Sequence, residues 1–335
     1  MKKALILFLC FAMLAGVLLC GCSGNKPGSA PATDGAGQVT DALPGSGTVP
    51  EASEEGASRR DPYASENVYE IDTEIFARKN GVDYGTVIAD LSYPSTVAGD
   101  DKQCNVLLPA GYDESRTYPV MYVVHGFGDW HGDMVNERTY LVTLYGNMLA
   151  RGLTVPMILV GLDMYTDPAA DKAGKTEAEL KESYNKVIQE IHTDLMPFIE
   201  KSYPVSTERE DTAIAGISEG AGKALCIGFT WPGEFGWIGA FSPVAGVIPS
   251  EFQKDTFWNE PVMQAFPKLS EDETPCYLCL AAGSDDPLSK EPTLYYRDAL
   301  NECGLRNQTD LVEGYNHSTM FWRLCFYNFF AKVFQ

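Results

Sequence analysis

The sequence predicts an α/β protein in which helices cover both faces of a mostly parallel central sheet. From about residue 84 onward, short apolar runs of strand length alternate with longer segments of helical periodicity. Continuous apolar runs, such as residues 118–124, are typical of strands that are buried on both faces. Strands that alternate with helices imply parallel neighbours. Functional side chains in such sheets lie at the carboxyl ends of the strands.

The first residues of the chain have the pattern of an export signal. Two lysines follow Met1, and residues 4–19 form an apolar run that is short for a membrane span. The run ends at Leu19-Cys20-Gly21-Cys22, which resembles a bacterial lipobox. We therefore expect residues 1–21 to be a lipoprotein signal peptide and Cys22 to be lipidated. The alternatives are an ordinary signal peptide or an uncleaved anchor.

Residues 22–66 are rich in Gly, Ser, Ala, Pro and acidic side chains, and large apolar residues are almost absent. Such a segment buries too little surface to offset its ordering entropy, so we expect a disordered tether. The domain is expected over residues 67–335. The net charge of −21 argues against nucleic acid and anionic membrane surfaces as partners. We expect an exported protein that faces outward and contacts the cell membrane only through its lipid anchor.

Eight strands and five longer helices are predicted in order. The strands are expected at residues 85–91, 104–109, 118–124, 155–161, 212–217, 235–241, 275–282 and about 307–312. The helices are expected at about 134–151, after the capping box that begins at Thr176, directly after residue 218, at about 292–303 and at about 318–334. Pro197 should kink the helix that starts at Thr176. Residues 243–272 show no regular pattern.

The segment Gly216-Ile217-Ser218-Glu219-Gly220 fits the motif G-x-S-x-G. It follows a predicted strand and precedes a predicted helix, which is the context that a nucleophile elbow requires. In that context the Ser218 hydroxyl stands exposed at the carboxyl edge of the sheet. The alternative is an ordinary strand-to-helix turn that a serine caps.

A serine nucleophile needs a base and an acid that orients the base. His317 lies in a loop between the last predicted strand and the last helix, and we predict that it is the base. The acid is Asp285 or Asp286, with Asp286 favoured, because both follow the strand at residues 275–282. The order Ser218, acid, His317 is that of α/β-hydrolases. His192 is expected to be structural.

An ester hydrolase also needs N–H donors for the oxyanion that develops on the substrate. The backbone N–H of Glu219, directly after Ser218, is one candidate. The second candidate is the N–H of Phe127, in the glycine-containing loop after the strand at 118–124. His125 is expected to brace this loop, and His131 to be exposed or to line the pocket.

Two patterns suggest other chemistry and are judged weaker. His125, Asp129, His131 and Asp133 form a His/Asp cluster that could bind a metal, but the cluster lacks an H-x-H core, so we predict no metal. Residues 276–279 read C-x-x-C, but this pair lies in an apolar run. We expect buried thiols there rather than a zinc or redox pair, and the pairing of the cysteines is not readable.

Five segments occur together and in order: residues 118–130, 213–218, 238–242, 283–286 and 314–317. With them, about residues 84–335 resemble the "putative esterase" family of carbohydrate esterase family 1, especially its feruloyl esterase branch. The resemblance implies an α/β-hydrolase fold and hydrolysis through an acyl-enzyme without a cofactor. It maps the family's nucleophile, acid and base onto Ser218, Asp286 and His317. The family usually has Met and two glycines after the nucleophile, whereas this chain has Glu219, Gly220 and Ala221.

We therefore predict a serine carboxylesterase that removes feruloyl or acetyl groups from plant cell-wall polysaccharide or its oligosaccharides. The alternatives are a weakly active or non-catalytic glycan-binding lipoprotein of the same fold, which Glu219 keeps open, and an acyltransferase. Several aromatic residues could line a substrate pocket or belong to the core. They are Phe127, Trp130, Tyr165, Trp258 and Tyr315.

Overall fold

The computed structural model of this chain describes residues 59–253 and 260–335. Eight strands form one sheet in the order β1-β2-β4-β3-β5-β6-β7-β8. Their bounds are β1 Thr86–Ser95, β2 Asp100–Leu108, β3 Val120–Val124, β4 Ile158–Leu162, β5 Thr212–Ile217, β6 Trp237–Phe241, β7 Tyr277–Gly283 and β8 Gln308–Val312. The pairs β1–β2 and β2–β4 are antiparallel, and the other pairs are parallel. The prediction of a mostly parallel sheet is confirmed.

Seven α-helices lie in the described part of the chain. They are α1 His131–Met134, α2 Tyr140–Ala150, α3 Glu177–Glu190, α4 Met196–Ser202, α5 Glu219–Thr230, α6 Lys290–Glu302 and α7 Thr319–Phe330. The helix expected at 134–151 is therefore two helices. The Thr139 hydroxyl donates to the carbonyls of Met134 and Asn136 at 3.0 and 2.9 Å and thereby forms a turn between them.

The Thr176 capping box forms as predicted. The Thr176 N–H donates to Glu179 Oε2 at 2.8 Å, and the Glu179 N–H donates to Thr176 Oγ1 at 3.3 Å. The helix that begins after Thr176 changes to a π-helical turn, Ile191–Leu195, and then continues as α4. Pro197, the residue expected to kink it, is the second residue of α4.

Helices cover both faces of the sheet, as predicted. Alternate residues of β3 point to opposite faces: Tyr122 packs in the core with residues of α3, α5 and α6, and Met121 packs with residues of α2 and α7. All carboxyl ends of the parallel strands consequently meet at one edge between two covered faces. That edge carries the site described below.

The chain before residue 67 already contacts this fold. The Arg60 N–H donates to the Gln335 carbonyl at 3.0 Å, and the Leu278 N–H donates to the Tyr63 hydroxyl at 2.9 Å. The Asn328 side chain bonds both the N–H and the carbonyl of Val68, at 2.7 and 2.8 Å. The packed segment thus extends several residues beyond the boundary expected from composition.

The predicted signal peptide, Cys22 and most of the predicted tether lie outside the described residues. Within residues 59–253 and 260–335, no helix has both the length and the apolar character needed to cross a bilayer. The six cysteines of these ranges are free thiols. Cys279 is buried and Cys276 is half-buried, so the C-x-x-C segment belongs to the packed interior.

Candidate active site

Ser218 stands on a sharp turn between β5 and α5. Its φ of 54° and ψ of −121° lie in a region that is strained for a residue with a side chain. The turn needs glycine on both sides: a Cβ on Gly216 would lie 2.2 Å from the Gly220 carbonyl oxygen, and a Cβ on Gly220 would lie 2.1 Å from the His125 carbonyl oxygen. The G-x-S-x-G segment therefore forms the predicted elbow.

The structure brings Ser218, His317 and Asp286 into one line of hydrogen bonds. Ser218 Oγ lies 2.9 Å from His317 Nε2, and His317 Nδ1 lies 2.7 Å from Asp286 Oδ2. A carboxylate only accepts, so Nδ1–H donates to Asp286, and Nε2 can accept the hydroxyl proton of Ser218. The three side chains come from the loops after β5, β7 and β8, which the parallel sheet places at one edge.

Asp286, rather than Asp285, is the carboxylate that His317 contacts. Asp285 is exposed and accepts a hydrogen bond from Ser284 Oγ at 3.0 Å. Asp286 is fully buried, and the N–H groups of Leu288 and Ser289 donate to its Oδ1 at 3.0 and 3.2 Å.

The same surroundings keep the Asp286 carboxylate charged. Burial alone would raise its pKa, but the hydrogen bond and charge of His317 and the donors of Ser289 and Leu288 hold the pKa below its usual value. The Ser289 hydroxyl donates to the oxygen that His317 contacts. The acid is thus fixed in position and ionised near neutral pH.

The loop that contains Phe127 passes directly beside Ser218. A Cβ on Gly126 would lie 3.7 Å from Ser218 Cβ. The Gly126 carbonyl is held by His125 Nδ1 at 2.7 Å and by the Asp129 N–H at 3.3 Å. Because the peptide is trans, the Phe127 N–H points away from that carbonyl.

The ring of His125 is held at both nitrogens. Nδ1 lies 2.7 Å from the Gly126 carbonyl oxygen, which only accepts, so Nδ1 carries the proton of that hydrogen bond. Nε2 lies 3.0 Å from the Met164 nitrogen and 3.4 Å from Asp163 Oδ1. His125 is fully buried, and the ring of Tyr184 packs edge-on against both His125 and Phe127. His125 therefore braces the loop, as the sequence suggested.

The Glu219 carboxylate, an unusual neighbour for a nucleophile, is paired inside the protein. Glu219 Oε1 lies 2.7 Å from Lys223 Nζ, one helical turn further along α5, and both side chains are 3% exposed. A second buried ammonium, Lys181 on α3, lies nearby and has a pKa lowered by burial. The negative charge next to the site is thus compensated by buried cations.

The two histidines of the predicted His/Asp cluster lie beside one carboxylate from outside the cluster: His125 Nε2 is 3.4 Å from Asp163 Oδ1, and His131 Nδ1 is 3.5 Å from Asp163 Oδ2. His131 is buried, and its Nε2 contacts Asp90 at 3.1 Å, so the expectation that it is exposed is wrong. Asp133 accepts the Trp130 N–H at 3.1 Å in a helix cap. No group of three potential metal ligands is formed within the described residues. His192 stacks on Trp231 at 4.0 Å between ring centroids, away from Ser218, and has a structural role.

The predicted pocket aromatics fall in different environments. Trp130 is 42% exposed and lies over the first turn of α1, where its ring is 4.5 Å from that of His131. Tyr165 is buried in the core, and Tyr315 packs against Phe321. Phe127 is half-buried, and Trp258 lies outside the described residues. Of the two environments expected for these residues, Tyr165 therefore occupies the core.

Some residues around the site were missed by sequence reasoning. Ser289 binds Asp286, Tyr184 packs on the Phe127 loop, and Trp322 lies perpendicular to His317 with their ring centroids 5.2 Å apart. The position of Trp322 one turn into the helix after His317 is a signal that could have been read, because the first turn of that helix must lie beside His317. The positions of Ser289 and Tyr184 depend on how separate segments pack.

The fold and the site together define an α/β-hydrolase with a serine, histidine and aspartate at the carboxyl edge of its sheet. The chain belongs to the Esterase family, described as "Putative esterase", whose model matches residues 95–322.

Comparisons with solved structures agree with this family and this fold. The structure is similar to that of a CE1 ferulic acid esterase from Anaeromyces mucronatus, with a TM-score of 0.68, 28% identity, and coverage of 79% of this chain and 96% of that chain. It also shares its fold with the S-formylglutathione hydrolase of Staphylococcus aureus, with a TM-score of 0.54, 14% identity, and coverage of 77% and 100% of the two chains.

A curated relative from Xylanibacter ruminicola, "Endo-1,4-beta-xylanase/feruloyl esterase", is 25% identical over 275 residues. The match covers 79% of this chain and 33% of the relative, so the chain spans about a third of that protein's length.

Proposed function

We propose that this protein is a serine carboxylesterase that acts through an acyl-enzyme on Ser218. The observation that carries the proposal is the unbroken line from Ser218 Oγ through His317 to the buried Asp286, with distances of 2.9 and 2.7 Å. A hydroxyl aligned with an imidazole lone pair can be deprotonated as it attacks. The strained backbone of Ser218 points the hydroxyl out of the sheet edge toward a substrate.

In the first half of the reaction, Ser218 Oγ attacks the ester carbonyl carbon while its proton moves to His317 Nε2. The tetrahedral intermediate then collapses, and the alcohol leaves with the proton that His317 returns. In the second half, His317 takes a proton from water as the water oxygen attacks the acyl carbon. The acid is released, and Ser218 Oγ regains the proton. Asp286 stabilises the imidazolium that forms twice in this cycle.

The oxyanion of each tetrahedral intermediate is assigned to the backbone N–H groups of Glu219 and Phe127. Glu219 is the first residue of α5, whose N-terminal end favours negative charge. The Phe127 N–H is oriented by the fixed Gly126 carbonyl described above. The Lys223 ammonium offsets the Glu219 carboxylate, which would otherwise oppose a developing negative charge.

We assign the substrate to acyl esters of plant cell-wall polysaccharide or its oligosaccharides, with the feruloyl ester as the first candidate. The support comes from relatives: a curated one is named as a xylanase and feruloyl esterase, and the Anaeromyces mucronatus enzyme has been solved with ferulic acid. In the loop after β3, half-buried Phe127 and exposed Trp130 are aromatic side chains that could contact a ring or a sugar.

The test is turnover of methyl ferulate, acetylated xylan and a short acyl-nitrophenyl ester by wild type and by Ser218→Ala. We expect wild type to hydrolyse at least one of them and the variant to lose about 10³-fold or more in kcat. Preference for methyl ferulate over the acetyl esters would support the feruloyl assignment. No turnover of any ester by wild type would reject the esterase proposal.

We also propose that the protein is exported and anchored at the outer face of the bacterial membrane through a lipid on Cys22. The support is the sequence of residues 1–22, with its lysines, apolar run and lipobox-like end. Labelling with a fatty-acid analogue should mark wild type and not Cys22→Ser. Equal labelling of both proteins would reject this anchor.

A further inference from the structure

Two serines occupy equivalent places on neighbouring strands. β5 and β6 pair in parallel, with Ile217 opposite Phe241, so Ser218 and Ser242 each follow the last paired residue. Both serines have a φ of 54°, which is unfavourable for residues other than glycine. The Ser242 N–H donates to the Ala281 carbonyl at 2.7 Å, just as the Ser218 N–H donates to the Phe241 carbonyl at 2.9 Å. The reaction uses Ser218 but leaves the strained Ser242 without a role.

The Ser242 hydroxyl anchors an indole ring. Ser242 is fully buried, and its Oγ accepts a hydrogen bond from Trp322 Nε1 at 3.1 Å. Trp322 lies in the first turn of α7, where its backbone N–H donates to the Ser318 carbonyl at 3.1 Å. Trp322 is therefore held both at its backbone N–H and at its ring nitrogen.

This anchored ring lies against the base. The ring centroids of Trp322 and His317 are 5.2 Å apart, and the rings are perpendicular. The two hydrogen bonds of His317 leave opposite sides of its ring in the plane of the imidazole. They define an axis about which the ring can still tilt, and a perpendicular ring beside it limits that tilt.

We propose that Trp322 is a positioning residue for His317 and that the strained Ser242 sets the indole in place. Such a role explains why a buried serine keeps an unfavourable backbone conformation next to the nucleophile. The inference rests on the proposed esterase function. It concerns the alignment of Ser218 with its base. It can therefore be tested with a reagent that modifies Ser218 directly, independently of whether the protein hydrolyses esters.

The experiment compares Trp322→Phe, Ser242→Ala and the double variant with wild type. Each is assayed for kcat and KM on methyl ferulate and for the rate at which a fluorophosphonate modifies Ser218. In that modification the Ser218 Oγ–P bond forms, fluoride leaves, and His317 takes the proton. Trp231→Phe is the matched control, because it removes an indole N–H bond of 2.7 Å to the Ile188 carbonyl, away from the site. Ser242→Gly serves as a second variant that tolerates the positive φ.

We expect each single change to lower kcat and the phosphonylation rate by about 10-fold, with KM within about twofold of wild type. The double variant should be no slower than either single one, because each already breaks the same bond. Trp231→Phe should keep wild-type rates.

Unchanged kcat, or losses that multiply in the double variant, would overturn the inference. A raised KM with unchanged phosphonylation would also overturn it, since the indole would then contact substrate instead. A wild type that reacts with the fluorophosphonate but hydrolyses no ester would reject the esterase proposal, while the phosphonylation rates would still decide the role of Trp322. A wild type that fails to react with the fluorophosphonate would overturn both.

Discussion

Lys223 Nζ lies 2.7 Å from Glu219 Oε1, one turn into the helix that begins beside the nucleophile, and both side chains are buried. Glu219 directly follows the nucleophile, and the negative charge of its carboxylate would oppose an oxyanion formed there. The Lys223 ammonium offsets that charge, because the two side chains together have little net charge. Removal of one partner should strongly destabilise the protein, because the other charge would remain buried without it.

Removal of Lys223 alone should therefore harm both stability and activity. We expect Lys223→Met to lower the free energy of unfolding by about 3–5 kcal/mol and to reduce kcat, because the buried Glu219 carboxylate then lacks the ammonium that contacts it. The double variant Glu219→Met/Lys223→Met should recover most of both losses, since apolar side chains can replace a buried pair. Urea unfolding and steady-state kinetics of the three proteins check this. A double variant as impaired as the single one would contradict it.

The adjacent aspartates provide a matched pair of substitutions. Asp286→Asn should lower kcat by about 10³–10⁴-fold, because an amide can donate to His317 and stabilise the wrong tautomer. Asp285→Asn, one residue earlier and exposed, should stay within about twofold of wild type. Steady-state kinetics with methyl ferulate measure both. Equal losses in the two variants would mean that the observed contact with His317 does not select the acid.

The Asp286 carboxylate should also leave a signature in the pH dependence of stability. Its folded pKa is lowered, so its contribution is fully present above the unfolded pKa of about 3.9 and is lost as pH falls through the folded value. The free energy of unfolding of wild type, relative to that of Asp286→Asn, should fall as the pH drops below about 4. Urea titrations at each pH measure it. A difference that is independent of pH throughout would contradict the lowered pKa.

The ring of His125 is expected to matter for rate rather than for binding. His125→Ala frees the Gly126 carbonyl and with it the direction of the Phe127 N–H, so kcat should fall by about 10²-fold with little change in KM. His192→Ala, which removes a half-exposed ring stacked on Trp231, is the control and should keep the wild-type rate. Steady-state kinetics separate the two effects. A rise in KM alone in His125→Ala would show that the loop binds substrate instead of the oxyanion.

The sequence predicted the elements that have strong local signals. Alternation of buried strands and helices indicated the parallel sheet, and the glycines around Ser218 indicated the elbow, because close backbone approach demands glycine there. The choice between Asp285 and Asp286 could not be made firmly, since adjacent residues in a loop share every sequence pattern. Only the turn after β7 decides which carboxylate is buried.

Interactions between distant segments were beyond sequence reasoning. The contact of Trp322 with Ser242 joins residues that are 80 positions apart, and no local pattern links them. The burial of His131 likewise depends on packing against neighbouring elements rather than on local propensity. These are the places where tertiary packing decides the outcome.

Intact-protein mass spectrometry can show whether Ser218 forms a covalent acyl-enzyme. Wild type and Ser218→Ala are mixed with 4-nitrophenyl acetate and quenched with acid within the first turnover. We expect wild type to gain one acetyl group, located on Ser218 by peptide fragmentation, and the variant to gain none. An acetyl group on another residue, or hydrolysis at the same rate in both proteins, would contradict it.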